Sequence, residues 1–184
     1  MKETRRADAQ RNLDALLEAT KTVFARSGVN APAKEITDLA GVGVGTLYRH
    51  FPQRSDLVIA VLGREIEACA EAGPVLSAAN PPAVALATWI QRYAELVATK
   101  VGLASALHAA DGAHEALAQH VYQRVGPVLD TLLEAAAADG IRADVSARTV
   151  LHGVGLLCQP VPGEGPEYSR RLVDIFVDGL RTTA

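Results

Sequence analysis

The sequence predicts an all-α protein in two parts, a short N-terminal domain built on a helix-turn-helix and a longer C-terminal helical domain. Three observations carry that expectation. Apolar residues recur at helical spacing along the 184-residue chain, and nothing in it alternates as a strand pair would. Hydrophobic residues make up 49% of the chain but aromatics only 4%, so the core must be assembled mainly from Ala, Leu and Val. The run from Gly41 to Pro52 encodes a short helix held between two stops.

Taken in order, residues 9–27 are amphipathic, with Leu13, Leu16, Leu17, Val23 and Phe24 on one stripe and Gly28 as the stop. Residues 33–40 read as a second helix, with Pro32 tolerated at its start and Ile36, Leu39 and Ala40 on one face. Gly41 allows the positive φ of a tight turn, Val42 anchors the turn inward, and Gly43 stands at the next N-cap. In the short helix that follows, Leu47 and Phe51 face inward with Val42. Thr46, Tyr48, Arg49 and His50 then offer hydroxyls and positive charge on the free face, which suits a DNA groove. Pro52 ends the run, and Ser55 is the expected cap of a fourth helix through Leu57, Val58, Val61 and Ile66.

Residues Arg11 to Leu62 resemble the N-terminal domain of the tetracycline-repressor-type (TetR-family) transcriptional regulators. The resemblance is carried by Phe24 and Gly28, by Ile36, by Ala40-Gly41-Val42, by Gly45-Thr46-Leu47-Tyr48-Arg49-His50-Phe51, and by Leu57. It implies a helix-turn-helix DNA-binding domain over residues 1–56 and a ligand-binding and dimerisation domain over residues 57–184. It further implies a homodimer on a palindromic double-stranded operator, an unidentified small-molecule effector, and repression as the default. Carried over residue by residue, Thr46, Tyr48 and His50 would contact phosphate, and Val44 and Gly45 would approach base edges. Arg49 would face groove or solvent, and Arg54 stands where the family usually has a phosphate-gripping lysine. Two departures weaken individual contacts. Ala31-Pro32 replaces the adjacent threonines that commonly open the second helix, and Gly43 replaces the capping serine. Backbone contacts would then shift toward Lys34, Arg54 or main-chain N–H groups.

The net charge of −3 alone argues against nucleic acid, but its distribution does not. Residues 1–56 hold nine Lys/Arg against seven Asp/Glu, and the remainder holds nine against fourteen. Lys2, Arg5, Arg6 and Arg11 form a basic arm that reads equally as a solvated terminus or as a phosphate contact. Cys69 and Cys158 lie far apart without metal spacing, which fits a reducing cytoplasm. No signal peptide or membrane span is expected: the longest uncharged stretch, 72–91, is interrupted by Asn80-Pro81-Pro82.

Gly73-Pro74 and Asn80-Pro81-Pro82 are expected to break the chain after the fourth helix. Further helices are expected over about 82–99, 103–110 and 113–139, the last kinked or broken at Pro127, and over 147–159 and 167–180. Asp144 or Ser146 caps the helix at 147, and 160–166 is a Pro/Gly loop. The last two helices are apolar over more than a narrow stripe. Val154, Leu157, Leu172, Ile175 and Phe176 are therefore candidates for a four-helix dimer interface, or for plain intramolecular core.

His108, Asp111 and His114 are spaced three apart, with His120 six further on, but Gly112 interrupts the helix and no Cys or Glu completes a set, so no metal site is expected. No nucleophile elbow, phosphate loop or carboxylate pair is present, and neither an enzyme nor a cofactor is expected. A binding pocket is the better expectation. Trp89, Tyr93 and Leu86 supply an apolar wall, His108, Tyr122 and His152 converging polar groups, and Cys158 the far end. With no Lys or Arg on those inward faces, an uncharged or weakly acidic, largely apolar ligand is indicated. The competing reading is a helical small-molecule-binding or scaffold protein that has lost DNA binding. The absent threonines and serine are its only support.

Overall fold

The computed structural model describes residues 2–102 and 113–182, with side chains described over 8–99 and 119–182. Among the described residues the helices run α1 (Lys2–Ser27), α2 (Ala33–Ala40), α3 (Val44–His50), α4 (Arg54–Ala79), α5 (Pro82–Gly102), α6 (Ala113–Ala137), α7 (Ala147–Leu157) and α8 (Pro166–Asp178). The chain divides into two compact units, one formed around residues up to Gly63 and one around Arg64–Val101 and the chain from Glu115 on. The division falls after Gly63, seven residues beyond the expected boundary at 56, and both positions lie inside α4. The segment expected as a helix over 103–110 lies outside the described residues.

The first unit is organised by α1. Its Leu16, Ala19, Thr20, Val23 and Phe24 are buried, and the Thr20 hydroxyl is satisfied by donating to the Leu16 carbonyl at 2.6 Å. Gly28 ends the helix at φ 79°, donating its N–H to the Phe24 carbonyl at 3.0 Å. The helix extends back through the basic arm to Lys2, well before the expected start at residue 9. Arg26 and Ser27 reach Glu35 at 2.5 and 2.8 Å, tying the end of α1 to α2. Both bonds, that from Arg26 foremost, hold the Glu35 carboxyl below its ordinary pKa. Ile36 and Thr37 form the inward face of α2. Leu39, expected inside, is 53% exposed, because eight residues allow only a narrow buried stripe and Thr37 occupies it.

The N-terminus of α4 also differs from expectation. The helix begins at Arg54, and the Asp56 carboxylate in its first turn reaches back to accept the Gln53 N–H at 2.9 Å, leaving Ser55 inside that turn. No break occurs at Gly73-Pro74. Pro74 is exposed and sacrifices one backbone hydrogen bond, while Ile66, Cys69, Ala70 and Gly73 continue a buried face. Burial along that face outweighs the local penalty.

Within the second unit, α4 and α6 approach closely where Gly73 meets Val128. A methyl group built on Gly73 would stand well inside van der Waals contact of Val128 Cγ1. Arg124 of α6 clasps Glu67 of α4 through two hydrogen bonds, the Nε–Oε1 one at 2.7 Å. The expected break at Pro127 is likewise absent, since α6 runs through it to Ala137. Ile66, Leu86, Trp89, Ile90, Leu129 and Leu132 are the large, fully buried side chains of this core. Ser146, not Asp144, caps α7 by accepting the Thr149 N–H at 3.2 Å.

Past α8 the chain returns to the turn between α6 and α7. Arg142 N–H donates to the Leu180 carbonyl at 2.9 Å and Thr182 N–H to the Gly140 carbonyl at 2.8 Å, around an isolated antiparallel bridge between Ile141 and Arg181. Among the described residues no helix is long and apolar enough to cross a membrane.

Candidate functional site

Two sites follow from this architecture, one in each unit. In the first, Gly41 turns the chain at φ 70° and Val42 N–H donates to the Thr37 carbonyl at 3.1 Å, closing α2. Gly43 then adopts the extended cap conformation, and its carbonyl accepts the Thr46 N–H at 2.8 Å. The glycine thus performs the backbone part of a cap without the missing hydroxyl. Leu47 and Phe51 are buried and fix the rotation of α3. That rotation leaves Val44, Gly45, Tyr48, Arg49 and His50 exposed and Thr46 half-buried, so six expected DNA-contacting residues lie together on one short helix. Tyr48 is 54% exposed, a large aromatic held out in solvent. Lys34 is exposed on α2 and pairs with Asp38 at 2.6 Å.

Arg54 behaves differently from the other seven. Its guanidinium donates to the Ala31 carbonyl and lies over the Phe24 ring, 5.4 Å from the centroid. The side chain is therefore engaged in joining α1, the loop before α2 and α4. Tyr48, Phe51, Gln53 and Arg54 line one hollow of about 200 Å³ together with Ala33, Leu47 and Leu57.

The second site is an open cleft of about 680 Å³, lined by residues of α5, α6 and α7. Tyr93, Tyr122 and His152 line it, as their spacing suggested. Three other expected members do not. Leu86 and Trp89 are wholly buried in the core; Trp89 donates its indole N–H to the Cys69 carbonyl at 2.9 Å and stacks on Tyr93 at 5.9 Å between centroids. Cys158 is buried too, with its thiol directed to the Ala94 carbonyl at 3.8 Å. Both flanks of α5 are apolar, so spacing could not distinguish its core face from its cleft face. His108 and Asp111 lie outside the described residues, as does the side chain of His114.

Spacing missed most of the cleft's wall: Val121, Leu151, Gly155 and Leu156, with the polar Gln119, Arg148 and Gln159. Arg148 matters most, since no cation was expected there. A legible signal existed, for Arg148 and His152 are four apart on a helix that contains no acidic residue. Burial pushes the Tyr93 phenol up to about 12, so this ring meets a ligand as a neutral group. Burial likewise raises Cys69 to about 12, which makes it an inert core thiol.

The helices expected to dimerise present a mixed surface. Val154 is fully buried by its own subunit, because it lies on the α7 face that packs inward with Val150, Leu151 and Cys158. It cannot stand at the centre of an interface. Leu157, Leu172 and Phe176 are half-buried, while Ile175 is 69% and Leu156 60% exposed. Gly153 lets the Phe176 ring approach, its Cβ position being 3.2 Å from two ring atoms.

Comparison with known proteins finds a family match in each part of the chain. Residues 16–61 match the family described as bacterial regulatory proteins of the tetR family, and residues 81–182 match the SbtR-like transcriptional regulator C-terminal domain. Among solved structures, the TetR transcriptional regulator SCO0520 from Streptomyces coelicolor is 34% identical, with 93% of this chain and 99% of that one covered at a TM-score of 0.77. The TetR transcription regulatory protein from Mycobacterium vanbaalenii is 33% identical, with 96% and 99% covered at a TM-score of 0.76. The HTH-type transcriptional repressor KstR of Mycolicibacterium smegmatis is 28% identical over 127 residues, 68% of this chain and 62% of that protein. The chain thus spans less than two thirds of that curated relative's length.

Proposed function

This chain belongs to the TetR family of bacterial transcriptional regulators, and from that premise we propose that it is a homodimeric repressor released from a two-fold symmetric operator by a small molecule bound in the second unit. The observation that carries the reading is the α3 surface. Buried Leu47 and Phe51 set the helix so that Tyr48, Arg49 and His50 stand exposed beside Val44 and Gly45. Hydroxyl and cationic groups serve phosphate, and a helix start bare of bulky side chains allows close approach to base edges, Val44 through a thymine methyl. Gly43 retains the cap's backbone role, so the absence of serine gives no support to a chain that has lost DNA binding.

Two copies of α3 must lie about 34–36 Å apart to enter successive major grooves. The exposed Ile175, with half-buried Leu157, Leu172 and Phe176, offers the apolar surface through which α7 and α8 pair with their symmetry mates. A ligand in the cleft shifts the operator affinity by as much as its own affinity differs between the two spacings.

Selection of bound fragments from random double-stranded DNA tests the reading. A two-fold symmetric consensus is expected, with Tyr48→Ala weakening its binding about tenfold or more while the melting temperature stays near the parent's. Recovery of no consensus, or full affinity in Tyr48→Ala, would refute the assignment of α3 to the groove.

A further inference from the structure

We propose that the effector is an amphiphilic monocarboxylate, its acid group held by Arg148 and its apolar body laid against Tyr122, Leu151 and Leu156. The inference rests on the sensor reading above and narrows the chemistry of the same cleft. Among the ten described residues lining the cleft there is an arginine and there is no Asp or Glu. Arg124, Arg142, Arg170 and Arg181 in this unit each pair with a carboxylate. Arg148 has no such pair among the described residues. Its guanidinium instead lies over the Tyr122 ring, 5.6 Å from the centroid.

The neighbouring acids have other partners. Asp144, one turn before Arg148, is held by Arg142 at 2.8 Å, and Asp130 accepts the Ala147 N–H at 3.3 Å. The N-terminus of α7 is thus already capped by Ser146 and Asp130, and the attraction for an anion in the cleft comes from the Arg148 side chain.

A guanidinium placed against an aromatic face keeps its N–H edge for a planar, two-oxygen acceptor. One cation matches one negative charge. Most of the remaining wall is apolar, so a small hydrophilic anion would leave it in water, whereas a neutral apolar molecule would desolvate Arg148 without giving it a partner. An acid carrying an aryl or acyl body satisfies both halves. The volume of about 680 Å³ falls within the range of pockets that enclose such molecules.

The test uses the full chain with two matched pairs, 4-phenylbutyrate against 4-phenylbutyramide and decanoate against decanamide, read by melting temperature and by direct binding. The acid of at least one pair should raise the melting temperature and bind about tenfold or more tightly than its amide, the body of that pair distinguishing an aryl from an acyl effector. Arg148→Gln should abolish the preference for the acid, while Arg148→Lys keeps part of it. Equal binding of acid and amide, or an undiminished preference in Arg148→Gln, overturns the carboxylate inference and leaves the sensor reading standing. Failure of all four compounds to bind overturns both.

Discussion

Two glycines in α4 should respond to alanine with opposite sign. Gly63 has no atom within 4 Å of its Cβ position, so Gly63→Ala only restricts the unfolded chain and improves helix propensity. That is worth about 0.5–1 kcal/mol of stabilisation. Gly73→Ala gains the same amount but drives a methyl into Val128 Cγ1. Valine in a helix has one strongly preferred χ1, so the Val128 methyl cannot turn aside without strain. A contact this short puts the overpacking cost in the upper part of its range, about 2–3 kcal/mol, leaving a net loss of about 1–2.5 kcal/mol. For a chain of this size that corresponds to a melting temperature lower by about 2–10 °C, against a rise of about 1–4 °C for Gly63→Ala. Thermal denaturation of both variants at one fixed protein concentration checks the pair, and the double variant Gly73→Ala with Val128→Ala should be less impaired than the sum of its parts. If Gly73→Ala were as stable as Gly63→Ala, α4 and α6 would not approach as closely as described.

Three further outcomes can be measured. Arg54→Ala should lower the melting temperature, since it removes the donor to the Ala31 carbonyl and the cation over Phe24, together worth about 1–2 kcal/mol. Its plot of log operator affinity against log salt should keep the parent's slope; a slope flatter by about two units would return the side chain to phosphate. Ile175→Asp places an unpaired charge on the exposed face of α8 and should give a monomer by light scattering, with operator binding lost; a surviving dimer would move the interface elsewhere. Arg124 holds the Glu67 carboxyl below its ordinary pKa, so any stability this pair contributes is present above the unfolded carboxylate pKa and is lost as pH falls through the folded value. Melting curves of Glu67→Gln and the parent should therefore differ near neutrality and converge in acid, and more so at low salt.

The parts of this chain that could be read from sequence are those fixed by local chemistry. Gly28 and Gly41 both adopt the positive φ that a helix stop requires, and Leu47 and Phe51, one turn apart, occupy the core as their spacing indicates. Where local and tertiary terms compete, reading the sequence failed. Gly73-Pro74 has the composition of a loop, but a buried face on either side carries α4 through it. For Arg54, position alone points to DNA, and the Ala31 carbonyl and the Phe24 ring, distant in sequence, also engage it inside the fold. The cleft was only partly legible, because Trp89 and Tyr93 sit one turn apart on a helix apolar on both flanks. One proved to be core and the other wall.

The pairing of residues 140–142 with 180–182 makes a closed circuit of the chain that contains α7 and α8. A circuit has no free end from which to fray. With both ends tied, the two helices should exchange their amide hydrogens as one cooperative block rather than from the C-terminus inward. The weak point of the ring is the exposed Pro/Gly stretch over 160–165. A protease cutting there would sever the backbone between the helices yet leave the fragments held by the clasp and the shared core, a nick visible on a denaturing gel and silent by size exclusion.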